Sequence, residues 1–244
     1  MLIKKGNIYE LGEHRLACGD CRDTGLVKEL VGNSSILLIL TDPPYGVNYV
    51  ENKKGFCSVK KNIEIANDNI SDESTYSQFT SDWLNAVKPH LTDKNSFYVF
   101  NSDRMIFALK KGIEDSGFRL AQILIWIKNS QVIGRRDYLA KHELIAYGWH
   151  GVHKFYKSKD KSVFFYPKPN ASPLHPTTKP AGLVRRLILN SSKIGDFVYD
   201  PFAGSGTTLI ACEQTKRRCL AIEIDPAYCK TIIERYKRLK GEQL

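Results

Sequence analysis

Residues 197–212 read FVYDPFAGSGTTLIAC, an apolar strand followed by a loop of small residues and then by the opening of a helix. Gly204 and Gly206 let the loop backbone approach a ligand closely, and the amino end of the helix favours a negative group such as a carboxylate. No Gly-Lys-Ser/Thr sequence follows, so the loop is not a phosphate-binding P-loop. The third glycine of the dinucleotide-binding fingerprint is absent as well, which excludes that motif. The next predicted strand, 219–224, carries Glu223 where an acidic residue bonds ribose hydroxyls. The pattern predicts a nucleotide-cradling turn, and the alternative is a glycine-rich strand-to-helix turn beside an ordinary surface acid.

A second motif, TDPPYG at 41–46, directly follows the unbroken apolar run 36–40. Asp42 and the carbonyl of Pro43 would supply two acceptors side by side, while Pro43 and Pro44 stiffen the turn and remove competing N–H donors. Tyr45 adds an aromatic face. Such a site suits a planar base with an amino group, because two acceptors on its N–H bonds help draw the nitrogen lone pair out of conjugation. The alternative is a plain proline turn with Asp42 as a cap and Tyr45 as packing.

Strands and helices alternate along the chain without internal repeats, which predicts an α/β fold with a mostly parallel twisted sheet and helices on both faces. Strands are predicted at 16–18, 36–40, 97–100, 120–127, 144–147, 197–200 and 219–224. Helices are predicted at 25–31, from Asp72 or Ser71 to Val87, at 103–115, from Leu209, and from Pro226 with Leu239 on its buried face. Four acids follow or close predicted strands, so we expect them to converge on one crevice, although each alone reads equally well as a helix cap. These acids are Asp20, Asp42, Asp200 and Glu223.

Together the two motifs resemble those of the S-adenosylmethionine-dependent DNA amino-methyltransferases, in which DPPY is the catalytic element and DPFAGSGT binds the cofactor. Three further segments agree, so that the resemblance covers nearly the whole chain: LACGDC at 16–21, WIK at 126–128 with HE at 142–143, and HPTTKP at 175–180. The catalytic element comes first, which resembles the permuted beta arrangement. The resemblance implies a Rossmann-like S-adenosylmethionine-dependent methyltransferase fold in one domain, residues 1–244, with S-adenosyl-L-methionine as cofactor and no need for a metal.

The resemblance also implies roles for single residues. The catalytic residues would be Asp42, Pro43, Pro44 and Tyr45. Asp20 would touch the cofactor's adenine, Glu223 its ribose, and the loop 200–207 its methionine part. The full set of cofactor-binding candidates is Asp20, Cys21, Thr177, Lys179, Asp200, Phe202, Ala203, Gly204, Ser205, Gly206, Thr207 and Glu223.

Bulk composition favours a polyanionic partner over a membrane surface. The chain has 244 residues, enough for one α/β domain, and a formal net charge of +10. We find no apolar run long enough to span a bilayer and no signal peptide, so we expect a cytoplasmic, nucleoid-associated protein whose six cysteines are reduced. Cys18-x-x-Cys21 lacks a second metal half-site nearby, and strand packing is the better account of Cys18.

Two polar stretches are candidate DNA contacts. Residues 47–69 follow the catalytic turn and would form a flexible loop that closes over a flipped nucleotide, with ordinary disorder as the alternative. Residues 149–172 mix lysines with aromatic residues and match the family's target-recognition insertion, with a β-hairpin bearing solvated lysines as the alternative. Because this insertion is short, we expect a short recognition sequence or weak selectivity. The DNA-binding candidates are Lys53, Lys54, Lys60, Lys61, Arg135, Arg136, Lys154, Lys157, Lys159 and Lys161.

The catalytic motif also predicts the target base. The usual target of DPPY is the N6 amine of adenine, whereas cytosine N4 enzymes more often carry serine in place of Asp42. The resemblance therefore implies transfer of a methyl group to a flipped adenine in duplex DNA. Methylation of cytosine N4 or of RNA adenine is the alternative within this class, and a catalytically silent DNA-binding regulatory protein is the alternative from another class. Pairing into a homodimer and a cognate restriction nuclease stay open.

Overall fold

A sheet with helices packed on both faces organises the protein in the computed structural model, which describes residues 2–45, 72–131, 137–157, 159–168 and 179–242. The strands of this part are β1 Ile8–Leu11, β2 His14–Cys18, β3 Ile36–Thr41, β4 Leu91–Asn101, β5 Arg119–Ile127, β6 His142–Trp149, β7 Val152–His153, β8 Val163–Phe165, β9 Phe197–Asp200 and β10 Arg218–Glu223. The helices are α1 Thr24–Val31, α2 Glu73–Val87, α3 Ile106–Asp115, α4 Ala181–Ser191, α5 Thr207–Thr215 and α6 Pro226–Lys240, with a 3-10 turn at Lys88–His90.

The sheet is mostly parallel, as the sequence predicts. Its strand order is β1-β2-β10-β9-β3-β4-β6-β5-β8, and β7 pairs with β4 off this path. Strands β2, β10, β9, β3 and β4 run parallel to one another, so their carboxyl ends share one edge. Strand β6 is antiparallel to both β4 and β5, so β6 begins at the edge where these two neighbours end.

Alternation along the strands supplies a core on each face. In β4, Phe97 and Val99 pack with helices α1, α2 and α3, whereas Tyr98 and Phe100 pack with α4, α5 and α6. Both faces of the central strands are therefore buried, which is why these strands read as unbroken apolar runs. Each large apolar side chain that is removed from water contributes about 1.5 to 3 kcal/mol. The rigid platform that results fixes the positions of the strand ends.

Most predicted elements are confirmed, with differences at their ends. Asp72 caps α2 and accepts a hydrogen bond from the Thr75 backbone N at 2.8 Å. Helix α3 begins at Ile106 rather than near Asp103, because the Asp103 carboxylate accepts from the Arg104 backbone N and favours a turn there. Leu239 is 42% exposed, because it lies in the last turn of α6 beyond Tyr236, the last buried residue of that helix.

The described part of 149–172 is not a hairpin, so that alternative is wrong. Strand β7 pairs in parallel with β4, and β8 pairs in parallel with β5 at the far edge of the sheet. The prediction that 149–172 forms a separate recognition insertion stays a prediction. Among the described helices, none is both long enough and apolar enough to cross a membrane.

Candidate active site

The shared carboxyl edge of the sheet brings the predicted acids into one row. Thr41 Oγ1, at the end of β3, donates to Asp200 Oδ1 at 2.7 Å. Gly19 N, just beyond β2, donates to the main-chain oxygen of Glu223 at 2.9 Å. These bonds link the ends of β3 and β9 and the ends of β2 and β10, which are neighbouring pairs in the sheet. The acids at those four ends are Asp20, Asp42, Asp200 and Glu223.

Asp42 is the first residue after β3, and both of its carboxylate oxygens carry hydrogen bonds. The Tyr45 hydroxyl donates to Oδ1 at 2.6 Å, and Lys179 Nζ donates to Oδ2 at 2.5 Å. The Asp42 side chain is 24% exposed, and Pro43 beside it is buried. Because a carboxylate oxygen accepts through two lone pairs, Asp42 retains capacity for a hydrogen bond from an amino group. The structure thus presents Asp42 to the crevice in a fixed orientation.

A second carboxylate, Glu143, lies against the same group, although the sequence predicts no role for it. Its Oε1 pairs with Lys128 Nζ at 2.6 Å, and its Oε2 pairs with Lys179 Nζ at 3.1 Å. The Tyr45 hydroxyl lies 3.2 Å from the same Oε2. The antiparallel course of β6 places Glu143 opposite Trp126, two residues before Lys128. A lysine directly after β5 and a glutamate near the start of β6, in the WIK and HE segments, are the signal that could have pointed to this pair.

Charge balance and burial set the protonation of this cluster. Burial raises the pKa of the Asp42 carboxyl against the opposing Lys179 ammonium, and the negative charge of Glu143 adds to the rise. Burial also disfavours the Glu143 anion, but the ammonium groups of Lys179 and Lys128 outweigh it and lower the pKa of Glu143. Burial likewise disfavours the Lys179 cation, but Asp42 and Glu143 outweigh it and raise the pKa of Lys179. The two pKa shifts therefore have opposite signs: the ammonium groups keep Glu143 ionised, and the Asp42 carboxyl binds a proton more readily than an ordinary aspartate does.

The loop between β9 and α5 depends on its two glycines. Gly204 and Gly206 have φ angles of 52° and 81°, in the left-handed region that favours glycine. A Cβ on Gly206 would also lie 2.9 Å from Ile232 Cγ1 of α6, so a side chain there would clash with the core. Phe202 and Gly204 are half-buried, whereas the side chains between and after them are buried: Ala203, Ser205 and Thr207. Gly204 thus exposes backbone at the amino end of α5, which suits a carboxylate-bearing ligand.

Glu223 links this loop to β10. Its Oε2 accepts from the Gly204 backbone N at 2.7 Å, and its Oε1 accepts from the Asp225 backbone N at 2.9 Å. Burial raises the pKa of Glu223 to about 7, although the hydrogen bonds from these two backbone N–H groups lower it. Each oxygen keeps a lone pair, so Glu223 can both support the loop and accept from ribose hydroxyls.

Asp200 lies deeper in the structure than Glu223 and is 3% exposed. Its Oδ1 accepts from the Phe202 backbone N at 3.2 Å as well as from Thr41, and burial raises the pKa of Asp200 to about 6. These contacts hold the start of the glycine loop against the end of β3.

A polar and aromatic surface borders the loop on the side of β2. Asp20 Oδ2 pairs with an Arg22 guanidinium nitrogen at 2.7 Å, and this hydrogen bond lowers the pKa of Asp20. The Arg22 guanidinium lies 5.5 Å from the centre of the Phe79 ring. Phe202 packs with its ring centre 5.7 Å from those of Phe79 and Trp83. A half-buried aromatic ring beside a carboxylate fits an adenine ring with its ribose.

The other cofactor candidates are placed differently. Cys21 is 4% exposed in the core, where burial raises the pKa of its thiol. Lys179 directs its ammonium to Asp42 and Tyr45 of the catalytic turn and to Glu143 of β6. Thr177 lies outside the described residues. The predicted roles of these residues in cofactor binding stay predictions.

The DNA-binding candidates are only partly described. Residues 47–69 lie outside the described ranges, as do the candidates Lys53, Lys54, Lys60, Lys61, Arg135 and Arg136. Lys157, Lys159 and Lys161 are exposed, and Lys154 is half-buried with its Nζ 4.9 Å from the centre of the Tyr156 ring. A cation above an aromatic ring keeps its charge available to a phosphate, so these four lysines remain a candidate surface.

Comparison with known proteins identifies the family. The model for N6 and N4 methyltransferases, described as DNA methylase, matches residues 36–172 and 149–234. The chain therefore belongs to this family and is a DNA amino-methyltransferase that uses S-adenosylmethionine, as the sequence predicts. Adenine N6 and cytosine N4 both fall within that class.

Individual relatives agree over most of their length. The chain is 28% identical to type II methyltransferase M.HpaI of Haemophilus parainfluenzae, over 91% of this chain and 74% of that protein. It is 27% identical to type II methyltransferase M2.DpnII of Streptococcus pneumoniae, over 85% of this chain and 84% of that protein.

Solved structures confirm the fold class. The complex of M1.HpyAVI with S-adenosylmethionine superposes with a TM-score of 0.65 at 24% identity, over 90% of this chain and 98% of that chain. The cytosine-N4-specific PvuII DNA methyltransferase superposes with a TM-score of 0.66 at 18% identity, over 97% of this chain and 98% of that chain.

Proposed function

We propose that the protein transfers a methyl group from S-adenosylmethionine to the N6 amine of an adenine flipped out of duplex DNA. The observation that carries the proposal is Asp42, a carboxylate fixed at the crevice with remaining acceptor capacity. A carboxylate is a stronger acceptor than the serine hydroxyl more often found at this position in cytosine N4 enzymes, and it holds an exocyclic amine tightly.

The catalytic turn binds and orients the amine. Asp42 and the Pro43 carbonyl accept its two N–H bonds, and the nitrogen lone pair is thereby released from the ring. Tyr45 supplies an aromatic face for the base, and its hydroxyl bond to Asp42 fixes the turn. No side-chain nucleophile takes part, because the amine itself attacks.

The glycine loop and its neighbours bind the cofactor, which supplies a methyl group on a sulfonium sulfur. Glu223 accepts from the ribose hydroxyls, Phe202 and Asp20 flank the adenine, and Gly204 faces the amino acid part. The bond from Thr41 to Asp200 holds the two halves of the crevice together at 2.7 Å. The reacting groups are thus aligned from adjacent strands β3 and β9, which removes much of the entropic barrier of a two-substrate reaction.

DNA is bound by basic residues of the segments 149–172 and 47–69. Four lysines of the first segment neutralise phosphates without reading sequence: Lys154, Lys157, Lys159 and Lys161. Few side chains of so short a segment reach base edges, so the recognition sequence is short or loosely defined.

Sequencing of DNA from cells that express the protein, with detection of modified bases, tests the proposal. We expect N6-methyladenine in a recurring short context with the wild type and its absence with Asp42→Ala. N4-methylcytosine in place of N6-methyladenine would overturn the choice of base. Unmodified DNA together with no S-adenosylmethionine binding in a titration would instead favour the silent regulatory protein.

A further inference from the structure

Four buried or half-buried charges form one continuous chain behind the catalytic turn. Lys128 Nζ contacts Glu143 at 2.6 Å, Glu143 contacts Lys179 Nζ at 3.1 Å, and Lys179 Nζ contacts Asp42 at 2.5 Å. The side chains of Lys128 and Lys179 are 4% and 8% exposed. The four groups come from separate places in the fold: the ends of β3 and β5, the start of β6, and the residue two positions before α4.

The hydrogen bonds of Lys179 account for its whole donor capacity. An ammonium group has three hydrogens, and Lys179 Nζ has three acceptors: Asp42 at 2.5 Å, Glu143 at 3.1 Å and the Tyr45 oxygen at 3.2 Å. Lys179 is therefore held in place by Glu143 from one side while it holds Asp42 from the other. Buried ion pairs of this kind add little to stability compared with apolar packing, so a contribution to stability does not account for them.

Methylation of an amine requires a proton acceptor. The amine nitrogen forms a bond to the methyl carbon while the carbon–sulfur bond breaks and its electron pair stays on sulfur. The nitrogen is then cationic with two hydrogens, and one N–H bond must break with its electron pair returning to nitrogen. The proton goes to a carboxylate oxygen within hydrogen-bond reach, which the proposed function places at Asp42.

Building on that function, we infer that Glu143, clamped between Lys128 and Lys179, is a positioning residue that makes Asp42 the acceptor of the proton released by the target amine. Glu143 is held by two ammonium groups, whereas Asp42 is held by one ammonium group and one phenol. The added proton is therefore better accommodated on Asp42 than on Glu143, and the Asp42 side chain, which is partly exposed, can return the proton to solvent. The negative charge of Glu143 strengthens this bias, because it raises the pKa of Asp42. Asp200, which accepts from the Thr41 hydroxyl, acts in the same sense when it is ionised, because it and Asp42 repel each other.

Two substitutions test the inference because they act in opposite directions. Glu143→Gln keeps the shape but removes a negative charge near Asp42, so the acidic limb of the kcat–pH profile should move to lower pH. Lys128→Met keeps the length but removes a positive charge from Glu143, so the acidic limb should move to higher pH. Each displacement should be on the order of one pH unit. In both variants kcat should fall by up to roughly 100-fold as Lys179 and Asp42 lose their fixed positions.

The profiles are measured at saturating concentrations of both S-adenosylmethionine and an adenine-containing DNA duplex, since kcat then reports groups in the bound complex. The matched control is the exposed pair Lys110 and Glu114 of α3, where Lys110→Met and Glu114→Gln should leave the limb unmoved. Thermal unfolding of every variant separates a loss of fold from a change at the site. Where a single variant unfolds, the double variant Glu143→Gln with Lys128→Met, which leaves no unpaired charge, takes its place. Its profile should lie between those expected for the single variants, with kcat still reduced.

The inference is overturned, and the proposed function is left standing, if variants that fold and bind cofactor have the same acidic limb in the kcat–pH profile as the wild type. Limbs that move in the same direction for both substitutions would also overturn it. A wild-type protein that methylates no adenine would contradict the proposed function instead, so the two failures are distinct.

Discussion

Replacing Glu223 by Ala should weaken S-adenosylmethionine binding and should do so in two ways. The first is the loss of a charged acceptor for the ribose hydroxyls, which costs about 1 to 3 kcal/mol, or about 5- to 150-fold in Kd. The second is the loss of the acceptor for the Gly204 backbone N, now bonded at 2.7 Å, which loosens the loop. Glu223→Gln should fall between Ala and the wild type, because its amide oxygen can still accept from Gly204. Catalysis in each variant should partly recover at saturating cofactor.

The pH dependence of cofactor binding is an independent test of the role of Glu223. Burial places the pKa of Glu223 at about 7, and the cofactor carries positive charge, so binding favours the ionised form of Glu223. Wild-type affinity should therefore increase as the pH rises toward about 7 and should level off above it. Glu223→Gln should lack this increase, because an amide does not titrate.

Isothermal titration calorimetry across this pH range, with S-adenosylmethionine as ligand, measures both effects. The control is Glu213→Ala, which removes a carboxylate at the opposite end of α5, where it pairs with His14 and Lys240. That variant should bind the cofactor as the wild type does. Unchanged affinity in Glu223→Ala would refute the assignment to the ribose and leave Glu223 only as a support of the loop.

Three further predictions concern catalysis, stability and DNA. Asp42→Ala should abolish methyl transfer but leave calorimetric cofactor affinity within a modest factor, and Asp42→Asn should keep partial activity; wild-type turnover in Asp42→Ala would show that its assigned role is wrong. Burial raises the pKa of Asp200 from 3.8 to about 6, so binding of a proton to Asp200 stabilises the native state. This stabilisation, worth about 3 kcal/mol, is fully present below pH 3.8 and is lost as the pH rises through about 6. Urea unfolding should therefore show Asp200→Asn gaining stability relative to the wild type over that interval, whereas a constant difference between the two would contradict the assigned burial of charge. The third prediction concerns the four lysines Lys154, Lys157, Lys159 and Lys161. Changing all four to Gln should reduce the slope of log DNA affinity against log salt concentration by about one per lost phosphate contact, and an unchanged slope would show that these lysines are merely solvated.

The sequence predicts those features whose causes are local. The apolar run before Asp42 and the small-residue loop after Asp200 define strand ends without knowledge of any partner. Because parallel strands share an edge, placing Asp42 and Glu223 near each other needs only the alternation of strands and helices. Asp72 is likewise visible as a helix cap from the residues that follow it.

The partners of the catalytic residue depend on long-range pairing and are missed. Glu143 reaches Lys179 and the Tyr45 hydroxyl only because β6 runs antiparallel to β4 and β5. Lys128 reaches Glu143 only because β5 ends at the same edge. No local pattern in the sequence predicts that β6 runs antiparallel to its neighbours. The family resemblance likewise assigns Lys179 to the cofactor, whereas its ammonium contacts Asp42, Tyr45 and Glu143.

Chemical identification of the methylated nucleoside tests the central claim most directly. The purified protein is incubated with duplex DNA and S-adenosylmethionine that carries an isotopically labelled methyl group, and the DNA is digested to nucleosides for mass spectrometry. The proposed role of Asp42 predicts the label in N6-methyladenine, and its loss in Asp42→Ala. Label confined to N4-methylcytosine, or DNA without label in the presence of bound cofactor, would contradict it.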